Sequence, residues 1–440
     1  MNLFWKNLMG GIPSAAKIEK NEADTLRALK RYDEVVQSVE LEEYKKLFHL
    51  VRSSDFQENK KILQNRKYKD TEEYRVTKKF HKLQNSAAIQ LYFKVLESQE
   101  LNQFETFKAS ADYEQLGDRK KVKASTLLTQ MKAYEKSKAY KTYARFHNSF
   151  IIKDFKVLKE KINTPEFKKS NEFWANPHRW HTTPEFEHQE RFYTLSKNPD
   201  IVFYENEKPN RFEKIRNIKL TFDDEFDWNT LDNSHWNFGF HYKSTELIGD
   251  HSFVNERQAN HSGKNVSVEN GILKIETKHE KVTARAWHPK KGFIEKEFQY
   301  TSDVIQTADK FRQQYGVFKA KVRCNGKLHH ACWLGADAKL PQINIFHYDG
   351  KQIRIGNSFQ HVVDGIKIKG LNPHIFHIFT LVWTEKELVW LINDLEVYRT
   401  KSHIPKEPMY LAFNSFIPEK QHGTIGNFEV DWVRVYTNIK

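Results

Sequence analysis

FTLVWTEKELVWLIND, residues 379–394, holds two apolar runs, FTLVW and LVWLI, on either side of the charged stretch TEKE. Short runs rich in Val, Leu and aromatic residues, bounded by polar turn residues, read as β-strands rather than as helices. The same grammar returns on both sides of it, in HIFTLVW (377–383) and LVWLIN (388–393) themselves, and in ILKIET (272–277), GVFKAKVRC (316–324) and FEVDWVRVY (428–436). Asn325-Gly326, Asp349-Gly350 and Asp364-Gly365 punctuate the series, and such pairs are the preferred chemistry of tight hairpin turns. A series of this kind implies an antiparallel sandwich or barrel.

The first half of the chain is written differently. Of 17 glycines, Gly10, Gly11 and Gly117 precede residue 215 and all the others follow it. Helix interiors avoid glycine, whereas sheets with many turns use it. The chain therefore reads as multidomain, α plus all-β. An irregular α-helical array is expected over residues 1–194, a connector over 195–216 and a β-sandwich over 217–440. FHLVRSSDFQENKKIL (48–63), YFKVLESQELNQFETF (92–107) and VLKEKINTPEFKKSNEFW (157–174) form a weak repeat, and TPEF occurs at 164–167 and again at 183–186. In TPEF the threonine suits the N-cap, the proline the first helical position, and the glutamate the positive end of the dipole. Such an array implies a scaffold or partner-binding surface.

At 440 residues the chain suits two or three domains. The net charge of +14 is uneven: residues 1–214 carry 41 basic against 31 acidic side chains, and residues 215–440 carry 30 against 26. Lys and Glu are interspersed in the first half, which implies solvated helical faces. With no zinc-finger spacing, P-loop or RNA-binding signature, no specific nucleic-acid partner is expected. No apolar run reaches the roughly 18 residues of a membrane helix. The opening MNLFWKNLMGG is broken by Lys6 and Asn7 and does not read as a secretory signal. Cys324 and Cys332 are the only cysteines, so neither a lipid-bearing N-terminal cysteine nor a disulfide framework is expected. These features together imply a cytoplasmic chain with both thiols reduced. Leu3, Phe4, Trp5, Leu8 and Met9 are expected to pack on the chain's own helices rather than on a membrane.

Residues 217–437 resemble glycoside hydrolase family 16. The resemblance rests on stretches that match in order: LTFDDEFDWNTLDNSHW (220–236), VSVENGILKIET (266–277), YTSDVIQT (300–307), YGVFKAKVR (315–323), ACWLGAD (331–337), FTLVWTEKELVWLIND and FEVDWVRVY. It implies a concanavalin A-like jelly roll of two curved antiparallel sheets. The family's signature E-I-D-I-x-E supplies a nucleophile, an assisting Asp and an acid/base. The matching stretch here is QINIFH (342–347), which puts Gln342, Asn344 and His347 at those three positions. A retaining glycosidase needs two carboxyl groups about 5–5.5 Å apart. Amides neither attack the anomeric carbon as a carboxylate does nor protonate the leaving oxygen, but they hydrogen-bond sugars well.

The resemblance therefore implies a non-catalytic carbohydrate-binding module for a β-linked glycan, with Trp287, Trp333, Gln342, Asn344 and His347 as its sugar contacts. Two other readings stand beside it. One is a structural or interaction protein whose helical half binds a macromolecular partner. The other is an active glycosidase with displaced acids, drawn from Asp337, Asp349, Glu295, Glu297 and Asp303. His329, His330 and His347 would form a zinc site only if their strands brought them together. No cofactor is expected beyond the structural calcium that many relatives bind, for which the resemblance names Glu225, a carbonyl near Gly263, and Asp431.

Overall fold

A computed structural model describes residues 1, 3, 11–243, 250–360 and 362–438. The chain forms two compact units: Glu34–Asn206, and Met1–Asp33 together with Glu207–Lys440.

The Glu34–Asn206 unit is helical, and its helices begin in a recurrent way. Ser38, Ser53, Ser98 and Ser149 each cap a helix, the side-chain oxygen accepting the N–H of Leu41, Phe56, Leu101 and Ile152 at 3.2, 3.3, 3.3 and 3.4 Å. The cap satisfies an otherwise orphaned N–H. The residue it holds is in each case a buried core side chain, so one Ser-x-x-apolar unit both starts the helix and fixes its inward face. Thr164 and Thr183 likewise cap their helices, accepting the N–H of the half-buried Phe167 and Phe186 at 3.2 and 3.3 Å, with Pro165 and Pro184 in the first helical turn. The core is a chain of aromatic clusters, with stacked pairs Tyr44–Phe192, Phe80–Phe155 and Tyr92–Tyr143.

The other unit is a two-sheet jelly-roll sandwich. The stretch 379–394 forms its hairpin as read: Phe379 pairs with Ile392 and Trp383 with Leu388. The strands His377–Trp383 and Leu388–Ile392 belong to a sheet of 11 described strands, beside Gly316–Cys324, Gly426–Asn438 and Ile272–His288. The second sheet runs, in spatial order, Val362–Ile368, Ile353–Phe359, Gln342–Asp349, His329–Gly335, Tyr410–Phe416, Val304–Gln306 and Asn237–Phe238. A single core lies between them. Phe318, Leu381, Trp383 and Trp390 face it from one sheet, and Leu334, Ile343, Ile345 and Phe413 from the other. Cys324 and Cys332 are free and buried.

The division differs from that read from glycine usage in two places. The helix Pro199–Asn206 occupies part of the expected connector. Residues 1–33, read as helical-domain sequence, instead pack with the β-sandwich. Leu3 and Ile12 are buried in the sandwich core, so Leu3 does not pack on helices as expected; Phe4, Trp5, Leu8 and Met9 lie outside the described residues. The helix Ala15–Val36 begins on the sheet, where Ala15 and Ile18 cluster with Ile378 and Trp432. Among the described residues, no helix is long and apolar enough to cross a membrane.

Candidate functional site

The strand Gln342–Asp349 alternates strictly only at its start. Ile343 and Ile345 enter the core, and so does Phe346, directly after Ile345. The register explains this: opposite the strand His329–Gly335, Asn344 pairs with Trp333 and Phe346 with Cys332, so Ile345 is an extra residue at a β-bulge. A bulge re-aims every side chain beyond it. Residue 347 thereby joins 342 and 344 on one face, although strict alternation would have sent it to the other.

That face forms the floor of a cleft of about 340 Å³. Gln342 Nε2 donates to Asn344 Oδ1 at 2.9 Å. His347 Nε2 and His329 Nδ1 share a hydrogen bond of 2.9 Å. Trp333 and Ala331 continue the floor on the next strand, and Asn414 and Phe416 on the one beyond. Trp333 donates its indole N–H to Asn414 Oδ1 at 3.0 Å. Gly335, two residues along, keeps this indole in place: a Cβ there would sit 2.5 Å from the Trp333 ring. Phe240, Tyr242 and Phe253 form an aromatic wall, with Phe240 and Phe253 centroids 4.9 Å apart. Asn255, Glu256 and Lys339 complete the lining.

Burial sets the charge of the histidines. It pushes His347 down to about 4, helped by His329 and Arg354, and His330 down to about 3. Burial pushes the Glu256 carboxyl the other way, up to about 7, against Gln258, Lys296 and Lys339. The stability consequences have opposite signs. Between the folded value and the ordinary 6.5 the unfolded chain binds the histidine protons and the folded chain does not, so stability falls as pH drops through that range. The Glu256 contribution is fully present below the ordinary carboxylate value of 4.5 and is lost as pH rises through about 7. The urea midpoint of the sandwich should therefore be lower at about pH 4.5 than at about pH 6.5, with His330→Gln shrinking the difference. A His330→Gln chain whose midpoint falls between the two values as much as that of the unaltered chain would remove the His330 account.

The other residues singled out from sequence lie elsewhere. Trp287 packs edge-on against Phe293 at 5.0 Å and is not among the cleft-lining residues. Asp337 is paired with Arg312 at 2.6 Å and Lys243 at 3.3 Å. Asp349 is held by Arg354 at 2.6 Å. Asp303 is buried and accepts the N–H groups of His261 and Asn265 at 3.0 and 2.9 Å, a structural role. Glu295 and Glu297 are exposed on the strand Gly292–Ser302, with Glu297 paired to Lys281 at 2.9 Å. None of the five lines the cleft, whose one carboxyl among the described residues is Glu256. His330 turns into the core, to Ser415 and the carbonyl of Asn325, each at 2.8 Å, so the three histidines do not converge. Among the described residues no group of three or more His, Cys, Asp or Glu could hold a metal.

The expected calcium ligands do not fit a calcium ion either. Arg434 grips Glu225 through both oxygens at 2.6 and 2.8 Å. Lys321 holds Asp431 at 2.6 Å. The Gly263 carbonyl accepts the Val266 N–H at 3.0 Å. A calcium site needs several oxygens free to turn to one point, and here both Glu225 oxygens, Asp431 Oδ2 and the Gly263 carbonyl already serve protein donors.

Sequence reading missed Glu256 and the wall of Phe240, Tyr242 and Phe253. Their segment, with its very short strands Asn237–Phe238 and Ser252–Phe253, carries no periodicity to read.

Residues 331–434 match the model of glycosyl hydrolases family 16, a span that contains the cleft floor. The chain is 23% identical over 273 residues to the glucan endo-1,3-beta-glucosidase A1 of Niallia circulans, covering 50% of this chain and 38% of that protein. It is 24% identical over 194 residues to the endo-1,3-1,4-beta-glycanase ExsH of Rhizobium meliloti (strain 1021), covering 39% of each. The chain thus spans about two fifths of the length of these curated relatives. Among solved structures, the catalytic domain of an endo-1,3-beta-glucanase (laminarinase) from Thermotoga petrophila RKU-1 is 19% identical, covers 51% of this chain and 99% of its own, and has a TM-score of 0.42. The sandwich is a family 16-like domain; the helical unit is unmatched by these comparisons.

Proposed function

We propose that the sandwich binds a β-linked glucan in this cleft without cleaving it. The observation that carries the reading is the cleft floor: Gln342, Asn344 and His347 stand together where the family resemblance expects three acids. Hydrolysis with retention needs two carboxyl groups, and the lining has one, Glu256. His347 is neutral at physiological pH and is bonded to His329. What remains suits sugar recognition: amides that donate and accept, and aromatic faces for the apolar side of a ring. The family match over 331–434 and the β-glucan enzymes among the relatives support the choice of ligand.

The test is calorimetric titration with laminarin oligosaccharides beside an assay for new reducing ends. Binding without new ends is expected. Gln342→Ala and Asn344→Ala should each weaken binding roughly two- to tenfold, the effect of one lost hydrogen bond. Trp287→Ala should leave affinity unchanged, since Trp287 lies off the cleft. New ends from the unaltered chain would overturn the reading in favour of displaced acids.

A second role, partner binding by the helical unit, has its own support. The helix Phe150–Asn163 exposes Phe150 at 80% and Val157 at 61%, beside exposed Lys153. These three positions share one face. An apolar and basic face of this kind suits an acidic protein surface. Loss of a co-purifying partner in Phe150→Glu, with the helical content unchanged, is the expected result; retention of that partner would dismiss this face.

A further inference from the structure

Glu256 is the one cleft-lining residue that bears a carboxyl group among the described residues, and its surroundings are built rather than incidental. Its Oε2 accepts the Gln258 side-chain N–H at 2.7 Å. Gln258 is itself fixed, because its Oε1 accepts the backbone N–H of Ile417 at 2.7 Å. The Lys296 ammonium donates to the carbonyls of Val254 and Glu256 at 2.6 and 2.9 Å, which pins the backbone on either side. One carboxyl oxygen is thus committed, and the other takes no hydrogen bond from the described residues. The flanking lining residues Phe240, Tyr242 and Phe253 offer it no charge.

We propose that Glu256 is a glycan-contacting residue of this cleft, that its uncommitted oxygen accepts a sugar hydroxyl, and that its ionised form is the one that binds. The inference rests on the reading of the cleft as a glucan site and adds to it a residue and a charge state. Its chemistry follows from the surroundings. Desolvation, acting against Gln258, Lys296 and Lys339, holds the Glu256 carboxyl up to about 7, and one of its oxygens takes no hydrogen bond from the described residues. A sugar hydroxyl supplies the missing donor, and a hydrogen bond to a charged acceptor is about twice as strong as a neutral one. Ligand and ionisation therefore favour each other, and binding near neutrality releases a proton.

The groups that face Glu256 leave this signal separable. Lys296 and Lys339 are cations near it, Tyr242 is a phenol whose ionisation burial opposes, and Glu419 lies beside Lys296. His347, on the cleft floor, is held down to about 4, and burial also lowers His329.

The experiment is titration of the full chain with laminarin oligosaccharides from about pH 5.5 to about pH 8.5. It is repeated near neutrality in buffers of different ionisation enthalpy, so that proton release is read directly. Affinity of the unaltered chain should rise about tenfold across the range, the equivalent of one unit of pKa change on binding. Glu256→Gln should bind with a flat pH profile and release no proton, its near-identical shape keeping the Gln258 contact. A flat or falling profile in the unaltered chain, or a rising one retained in Glu256→Gln, would overturn the role of Glu256 while leaving the cleft a glucan site. Absence of binding at every pH in both chains would overturn the glucan reading and this inference with it.

Discussion

The triple variant Gln342→Glu, Asn344→Asp, His347→Glu should release reducing ends from laminarin at least about a hundredfold faster than the unaltered chain, the low end of what positioned acid–base groups contribute. The expectation comes from the backbone rather than from the side chains. The bulge at Ile345 holds residues 342, 344 and 347 on the cleft face, with Ile343, Ile345, Phe346 and Tyr348 anchoring the strand in the core. New carboxylates would thus enter a frame already shaped to present them. Gln342→Glu and Asn344→Asp are close in volume. A glutamate at 347 would meet the His329 ring that now shares a hydrogen bond with His347, and a nearby carboxylate favours the protonated form of a histidine. Gln342→Glu alone should stay far slower than the triple variant, because position 347, where the resemblance places the acid that protonates the leaving oxygen, then still holds a histidine kept neutral by burial. Measured reducing ends decide it. A triple variant that is folded, binds laminarin and cleaves nothing would mean that this strand does not hold acids in catalytic geometry.

Removing residues 1–33 should unfold the sandwich, although the described residues of the deleted segment contribute no strand. Leu3 and Ile12 belong to the main core, and Ile18 packs with Ile378 and Trp432. Full burial of one such side chain contributes about 1.5–3 kcal/mol, and the whole stability of a domain is about 5–15 kcal/mol. Polar ties are lost as well. The Trp432 indole N–H donates to Glu19 at 2.7 Å, and Lys321 pairs with Glu19 at 2.8 Å. Asn393 donates to the Pro13 carbonyl at 2.8 Å, and the Leu3 N–H donates to the Lys369 carbonyl at 2.8 Å. Deletion would expose Ile378 and Trp432 to water and leave Lys321 with Asp431 as its one remaining carboxylate partner among the described residues. The readout is thermal unfolding of the truncated chain, with the single variant Ile18→Asp as the milder probe. Ile18→Asp should lower the midpoint by about 5–10 °C, the shift that roughly 2–3 kcal/mol produces in a domain of this size. A truncated chain that melts within about 2 °C of the full chain would show residues 1–33 to be dispensable.

Some of this molecule was legible from its residues alone. Strand signals at 272–277, 316–324, 377–383, 388–393 and 428–436 all became strands, because alternation, or a short apolar run rich in β-branched and aromatic residues, is a local property of the chain. The caps of TPEF were equally local: Thr164 and Thr183 bond within their own first turns. Of the residues singled out from sequence as sugar contacts, Gln342, Asn344, His347 and Trp333 line one cleft.

The rest required the tertiary structure. Trp287 stands in a plausible strand, yet its ring turns to Phe293, and nothing within its own segment sets that direction. Glu225 and Asp431 look like free hard ligands in sequence but are held by Arg434 and Lys321 from other strands. Residues 15–33 read as helix and are helix, but which surface a helix covers is decided by the partner, here Ile378 and Trp432. Glu256 acquires its role only because Gln258, Lys296 and an aromatic wall from distant residues close around it. The sequence by itself determined which segments become helix and strand, and which residue types could stand at the site, since those depend on near neighbours in the chain. Only the tertiary structure decided the face of His347, the partner of each charge and the proton on Glu256, because register, ion pairing and desolvation are properties of groups that the chain brings together from far apart.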